Sequence, residues 1–321
     1  MKLGKLYESA VKLGIENDPR SRKEIQKDIK RVRDDYRKLS VPEKRFFDSE
    51  RLKHPYADTR ILYGNPETEI NTIMVGIDME APELLIADRL NERGADIDLV
   101  ISHHPEGGAL ANLGEVMHLQ KNVLEKFGLK QDIAKALMDE RIGEVSRSIS
   151  AVNHMRAVDA ARLLDIPYMC MHTPADNHVA RYLQQLCDLK KLKTAEDVLK
   201  VLYGIPEYKK AIEVGAGPRL ISGKLKNNAE KVFVDMTGGT EGSEKIYARL
   251  SQMGVGTAIG MHLSEKHFKQ AKAEHINVII AGHIASDNLG LNLIFDNLEK
   301  KAKSKLNIIN ASGFTRIRRN G

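Results

Sequence analysis

Residues 70–104, INTIMVGIDMEAPELLIADRLNERGADIDLVISHH, decide how the chain is read. INTIMVGIDM is a short β-rich run, APELLIADRLNERG has helical periodicity closed by a glycine, and DLVIS is apolar and short again. Strand, helix and strand in that order supply the crossover that parallel pairing requires. The second strand then runs into His103, His104 and Pro105. Successive side chains of a strand point to opposite faces, and Pro105 biases His104 toward extended backbone, so the two imidazoles diverge as the strand stops. Diverging imidazoles suit two neighbouring metal ions; a pair of ordinary surface histidines is the plainer alternative.

Outward from this unit the alternation continues. Helical stretches are expected around HLQKNVLEKFG, IAKALMDERIG and SRSISAVNHMRAVDAARLLD, and again over residues 177–208. IPYMCMH, KVFVDMT, GTAIGM and NVIIAG read as further strands. Strands alternating with helices predict an α/β fold. No solenoid repeat and no low-complexity tract interrupts it. The expected division is a basic helical extension over residues 1–58, an α/β domain from 59–175 and 255–321, and a second α/β domain over 176–254.

The net charge of +6 is concentrated at one end. Residues 1–60 hold 17 Lys or Arg against 11 Asp or Glu, leaving 33 of each in the remainder. Within that stretch SRKEIQKDIKRVRDDYRKL places Ile25, Ile29, Val32, Tyr36 and Leu39 at helical spacing, which predicts an amphipathic helix with a solvated charged face. Docking on the body or on a neighbouring subunit is the favoured role, and nucleic-acid contact through the basic face is the less favoured one. Cys170 and Cys187 stand alone, which excludes a disulfide framework or a thiolate metal site. Neither a signal peptide nor a membrane span is read, so a cytoplasmic protein is expected.

Two further strands end as the first does. NVIIAGHIASDNLG brings His283 and, four residues on, Asp287; IPYMCMHTPADN brings His172 and Asp176 at the same spacing. Imidazole and carboxylate share one side if residues 283–287 form a first helical turn, whereas Pro174 predicts a turn between His172 and Asp176. Ser286, Asp287 and Asp176 could instead serve as helix caps, but capping leaves the histidines unexplained. Open α/β sheets place their sites beyond the carboxyl ends of the strands, where all three clusters fall. Such ligands suit Zn, Fe, Mn or Ni, and they exceed what one catalytic zinc takes. Two divalent ions bridged by a carboxylate would use them.

ISHHP, HTPAD and AGHIASD, in this order and preceded by MVGIDMEAPELLIADRLNERGAD, resemble the Nif-three-like family, also known as type 2 GTP cyclohydrolase I, over roughly residues 66 to 312. The resemblance implies two linked α/β domains and a ring-like homo-oligomer, commonly a hexamer. It also implies a dinuclear centre held by His103, His104, Asp176, His283 and Asp287. His172 stands beside that centre as proton donor or supporting group. Asp287 occupies the place of the family's bridging glutamate and is one methylene shorter. The implied activity is a metal-dependent hydrolase acting on a small molecule, either a purine nucleotide (GTP cyclohydrolase-like) or another phosphorylated compound; the rival is a metal carrier or interaction protein of the same fold. His262 and Glu265 are speculative pocket residues, because GMHLSEKH lacks the family's acidic residue after glycine.

Three other features are read from the residues. Asp78 is a minor pocket candidate at the end of its strand. His154 is expected inside a helix with a structural role. The glycine-rich turn of VFVDMTGGTEGSEKIYARL is read as a tight connection rather than a phosphate cradle, since it lacks both the Walker lysine spacing and G-x-G-x-x-G.

Overall fold

The computed structural model describes residues 1–303 and 305–319. The chain opens with helices α1 (Leu3–Asn17), α2 (Arg22–Lys38) and α3 (Val41–Phe46) and a 3-10 turn at Ser49–Leu52. Strand β1 (Thr59–Tyr63), β2 (Thr72–Gly76), helix α4 (Ala81–Asn91) and β3 (Leu99–Ser102) follow. A helical excursion separates β3 from the next strand: α5 (Gly107–Ala111), α6 (Leu113–Val116), α7 (His118–Phe127), α8 (Gln131–Ile149) and α9 (Arg156–Leu163). Then come β4 (Tyr168–Met171), α10 (Thr173–Leu189), α11 (Ala195–Tyr203), α12 (Pro206–Glu213), β5 (Arg219–Ser222) and β6 (Lys231–Asp235). The chain closes with α13 (Ile246–Gln252), β7 (Val255–Gly260), α14 (Glu265–Ala273), β8 (Asn277–Ile280), α15 (His283–Ala302) and β9 (Asn307–Asn310).

The strands form two sheets, ordered β1-β4-β3-β2-β9 and β5-β8-β7-β6, as an α/β fold requires. In the first, β4, β3, β2 and β9 run parallel and β1 lies antiparallel on β4. In the second, β8, β7 and β6 run parallel and β5 lies antiparallel on β8. The order β5-β8-β7-β6 thus repeats β1-β4-β3-β2, antiparallel edge strand included. Sheet membership departs from the expected partition at residue 255: β7 and β8 pair with β6 and β5, and only β9 of the later stretch joins the first sheet. The reason is local. β6, α13, β7, α14 and β8 make successive short crossovers, and consecutive elements of that kind settle side by side.

Helices α10 and α15 lie between the sheets. Ala175 of α10 and Leu291, Ile294 and Phe295 of α15 belong to the core against the first sheet, whereas Val179 and Leu183 of α10 and Leu289 of α15 belong to the core against the second. Each helix therefore serves two cores, and their first turns come together at the carboxyl ends of the strands.

The amino-terminal stretch is not uniform. Leu3, Leu6 and Leu13 of α1 are buried in one cluster with Ile73, Ile101, Met171 and Phe295. At about 1.5–3 kcal/mol for each large aliphatic side chain removed from water, α1 is a structural part of the body. Helix α2 matches the expected amphipathic helix. Ser21 and Glu24 form a reciprocal capping box at its start, and Ile25 is its one buried residue among those described. Helix α8 runs through Gly143 without a break, where two helices were expected, and His154 lies in the turn between α8 and α9, its Nε2 3.0 Å from the Ile149 carbonyl. No helix among the described residues is long and apolar enough to cross a membrane.

Candidate metal centre

The β3 backbone carries its pairing past the end of the strand. His103 N–H donates to the Gly76 carbonyl and His104 N–H to that of Ile77, both at 2.9 Å, so both imidazoles leave a fixed backbone. Their ring centroids are 5.3 Å apart, and they reach different oxygens of one carboxylate. His103 Nε2 is 3.4 Å from Asp287 Oδ1, and His104 Nε2 is 3.6 Å from Asp287 Oδ2. The expected divergence is therefore real and is spanned by a single carboxyl group.

Asp287 lies one turn into α15, which begins at His283 rather than after Asp287. The four-residue spacing puts His283 Nε2 3.6 Å from Asp287 Oδ2. Gly282, immediately before, has φ +103°, and a Cβ there would sit 2.7 Å from the Ala216 carbonyl oxygen, so only glycine permits this tight entry. Neither Ser286 nor Asp287 caps the helix; both lie inside it.

The second half of the centre is built alike. Helix α10 begins directly after His172, with Pro174 in its first turn, where the missing N–H has no helical partner to lose. The expectation that Pro174 forces a turn is corrected for that reason. Asp176, inside this first turn, has Oδ1 3.4 Å from His103 Nε2 and Oδ2 3.7 Å from His172 Nε2. By the sheet equivalence, β4 with His172 and Asp176 corresponds to β8 with His283 and Asp287.

The outer hydrogen bonds fix which nitrogens face the centre. His104 Nδ1 donates to Asp78 Oδ1 at 2.6 Å, His172 Nδ1 to Asp58 Oδ2 at 2.8 Å, and His103 Nδ1 to the Met171 carbonyl at 3.2 Å. Each Nε2 is left pointing at Asp176 or Asp287, the arrangement in which a carboxylate or carbonyl holds a ligating imidazole from behind. Asp176 Oδ1 and both oxygens of Asp287 are buried without a hydrogen-bond partner. Buried carboxylate oxygens lacking donors carry a large desolvation penalty that a cation offsets. The donor set therefore fits divalent metal: His103, His172 and Asp176 form one convergent group, and His103, His104 and Asp287 another.

The electrostatics agree. Burial opposes charge on His103, but Asp287 and Asp176 outweigh it and raise its pKa to about 10. Burial likewise opposes charge on His104, but the Asp287 carboxylate facing it and its bond to Asp78 raise it to about 9. Burial would lift Asp287, yet the charge of His103 and the facing imidazole of His104 hold it far below the ordinary carboxylate range. Negative charge at this point is strongly favoured by its surroundings.

Asp58 was missed from the residues alone, since its partner lies 114 positions away. It is wholly buried and accepts from His172 Nδ1 and, at 2.6 Å, from Thr173 Oγ1. Asp58→Asn is expected to cost about 10–100-fold in metal affinity where His172 ligates, or in turnover where it only donates a proton, the usual penalty for losing an outer carboxylate. Chelator competition and assay of the loaded protein measure the two, and a protein within twofold of the parent in both would refute the role.

Asp78 earns its place behind His104. His262 packs over His283, with ring centroids 4.9 Å apart, and its Nδ1 is 3.3 Å from Glu241 Oε1. Glu241, also unforeseen, is held at about 2 because the His262 bond and the His267 charge outweigh its burial. Glu265 is not part of the site: it is exposed and lies 3.5 Å from Lys269 one turn along α14. Gly238 and Gly239 take φ of +93° and +87°, and Gln120 Nε2 donates to the Gly238 and Thr240 carbonyls at 3.1 and 2.6 Å. That turn is a clamped connection. Cys170 and Cys187 are each pushed up to about 12 by burial and carry no thiolate chemistry.

No protein-family model and no curated protein matches the chain. Solved structures do. A NIF3 superfamily protein from Sphaerobacter thermophilus superposes with a TM-score of 0.71 at 25% identity, over 80% of this chain and 92% of that one. Reduced HcgD from Methanocaldococcus jannaschii gives 0.46 at 14% identity, over 85% and 97% of the two chains. A Bacillus cereus protein related to NIF3 gives 0.40 at 12%, over 79% and 90%.

Proposed function

We propose that this chain, a Nif-three-like protein by fold, is a dinuclear metal-dependent hydrolase. Its ligands are His103, His104, Asp176, His283 and Asp287, and its substrate is a purine nucleotide or another phosphorylated small molecule. The observation that carries the reading is that Asp176 Oδ1 and both oxygens of Asp287, buried and without hydrogen-bond partners, face the Nε2 atoms of His103, His104 and His283. Two divalent ions (Zn, Fe, Mn or Ni) held there would supply Lewis acidity and the activation of water near neutral pH.

The remaining groups act around that centre. His172 exchanges a proton only through Nε2, because Nδ1–H is bound to Asp58. Fixed in this way, it is the residue placed to give a proton to a leaving group. His262 and Glu241 wall the cavity beyond His283, and burial raises Asp235 beside them to about 6, so a carboxyl able to exchange a proton near neutral pH faces the same space. A homo-oligomer, hexameric by the resemblance, is part of the same reading.

Elemental analysis of protein purified without chelator, followed by assay against nucleotides and phosphoesters, tests the proposal. Two equivalents of metal and turnover abolished by His104→Ala are expected. Bound metal with no turnover on any panel member would favour a carrier, and metal-free protein would remove the premise. His172→Ala separates roles: retained metal with lost turnover marks a proton donor, whereas lost metal marks a sixth ligand.

A further inference from the structure

A crevice of about 620 Å³ lies beyond His283, between α12, the β5–β8 edge, the start of α15 and residues 313–317. His262 and His283 line both this crevice and the metal cavity, so the two spaces share a wall. The volume falls within the range of small-molecule sites. Its floor is apolar, from Met261, Leu263, Ile280 and Ile317.

The charged groups around it are unequal. Glu207 is buried and already neutralised, because Arg319 Nη2 donates to both of its oxygens at 2.8 and 2.7 Å and Asn292 Nδ2 donates at 3.0 Å. Lys210 meets only the Thr315 hydroxyl, at 3.0 Å, and Arg219 meets no hydrogen-bond or ion-pair partner among the described residues. Arg219 lies opposite Ile280 in the β5–β8 register, three residues before His283. The crevice thus presents an apolar floor, two cations without carboxylate partners, and a histidine of the metal centre in its wall.

We propose that this crevice binds the body of the substrate, and that the substrate is a small amphipathic anion. Its apolar ring or chain lies on Met261, Leu263 and Ile280, its carboxylate, sulfonate or phosphate meets Lys210 and Arg219, and its reactive end passes His283 to the metals. The assignment of a reactive end rests on the hydrolase reading; the binding of an amphipathic anion does not. Charge complementarity selects this occupant over a neutral apolar one, since Lys210 and Arg219, both exposed at the crevice, attract an anion and offer a neutral ligand no such gain.

The test uses the full-length, metal-loaded protein and two fluorescent probes of similar shape, anionic 8-anilinonaphthalene-1-sulfonate and neutral N-phenyl-1-naphthylamine. The Lys210→Gln/Arg219→Gln double variant is expected to bind the sulfonate at least tenfold more weakly and the neutral probe within twofold of the parent. Val214→Trp, at an exposed position of the crevice wall, is expected to weaken both. Unchanged sulfonate affinity in the double variant overturns the proposal. So does unchanged binding of both probes to Val214→Trp, or a fall in the sedimenting mass of that variant, which would assign the crevice to a second copy of the chain. Metal content is measured on the same samples. Two equivalents throughout with failed probe selectivity sinks this inference alone, whereas selective binding by a chain that takes up no metal sinks the hydrolase reading alone.

Discussion

Asp287→Asn is expected to leave the chain folded and to strip it of metal, with a loss of affinity beyond the roughly 10–100-fold that removal of an outer-shell partner causes. One carboxylate meets three imidazoles here, with Oδ1 3.4 Å from His103 and Oδ2 3.6 Å from both His104 and His283. No other acidic residue among the described ones stands close to all three. The amide keeps size and shape but offers one oxygen and no charge, so it cannot bridge. Folding survives because His103 and His104 can shed their protons once the anion is gone. Asp287→Glu, which lengthens the side chain by one methylene, is expected to retain metal with altered preference. Elemental analysis reads both variants, and two equivalents of metal in the asparagine variant would rule out the bridge.

The same carboxylate sets a pH dependence. In the metal-free chain, pKa values of about 10 and 9 keep His103 and His104 protonated at pH 7. Metal must displace those protons, so uptake at pH 7 releases acid and affinity rises with pH toward 9. Stability of the metal-free chain runs the other way. A histidine raised from its ordinary value of about 6.5 contributes fully below that pH, and the contribution is lost as pH rises through the folded value. Asp287, held low, contributes above the unfolded carboxylate pKa of about 3.9 and loses that contribution as pH falls through its own depressed value. Titration calorimetry of metal uptake by the parent chain in buffers of different ionisation enthalpy reads the proton count, and a count near zero at pH 7 would overturn this account.

The centre was legible where chemistry sits at strand ends. His103, His104, His172 and His283 each follow an apolar run, and the common spacing to Asp176 and Asp287 marks two similar helix starts. The sheets explain that likeness, since β4 and β8 hold equivalent places in two copies of one strand order. Strand order is set by long-range pairing, so the repeat was hidden in the residues, as was the place of β7 and β8 in the second sheet. Asp58 was hidden for the same reason, being a lone carboxylate before β1 whose meaning comes from His172 across the β1–β4 pair. The helical pattern of α1 was visible, but nothing in it told that its apolar face meets α10 and α15 rather than a partner.

Gly290→Ala is expected to destabilise the chain by about 1–3 kcal/mol and to weaken metal binding, although alanine is the better helix former by roughly 0.5–1 kcal/mol. Gly290 lies three residues after Asp287 on α15, and a Cβ there would meet the Ala175 carbonyl oxygen at 2.5 Å and its carbon at 2.9 Å. Ala175 immediately precedes Asp176 on α10. The obstacle is backbone and cannot rotate away, so relief requires α10 and α15 to separate where each carries a carboxylate of the centre. Packing and metal geometry are thereby coupled through one absent methyl group. Gly143→Ala in α8 is the control: its Cβ would meet only the Arg147 guanidinium, at 3.2 Å, which is the mobile end of a long side chain. That variant is expected to gain about 0.5–1 kcal/mol of helix propensity with metal affinity unchanged. Urea unfolding of the metal-free proteins, with chelator competition on the loaded ones, separates the two effects. A Gly290→Ala protein as stable as Gly143→Ala, holding metal as tightly as the parent, would show that the two helices do not meet at this point.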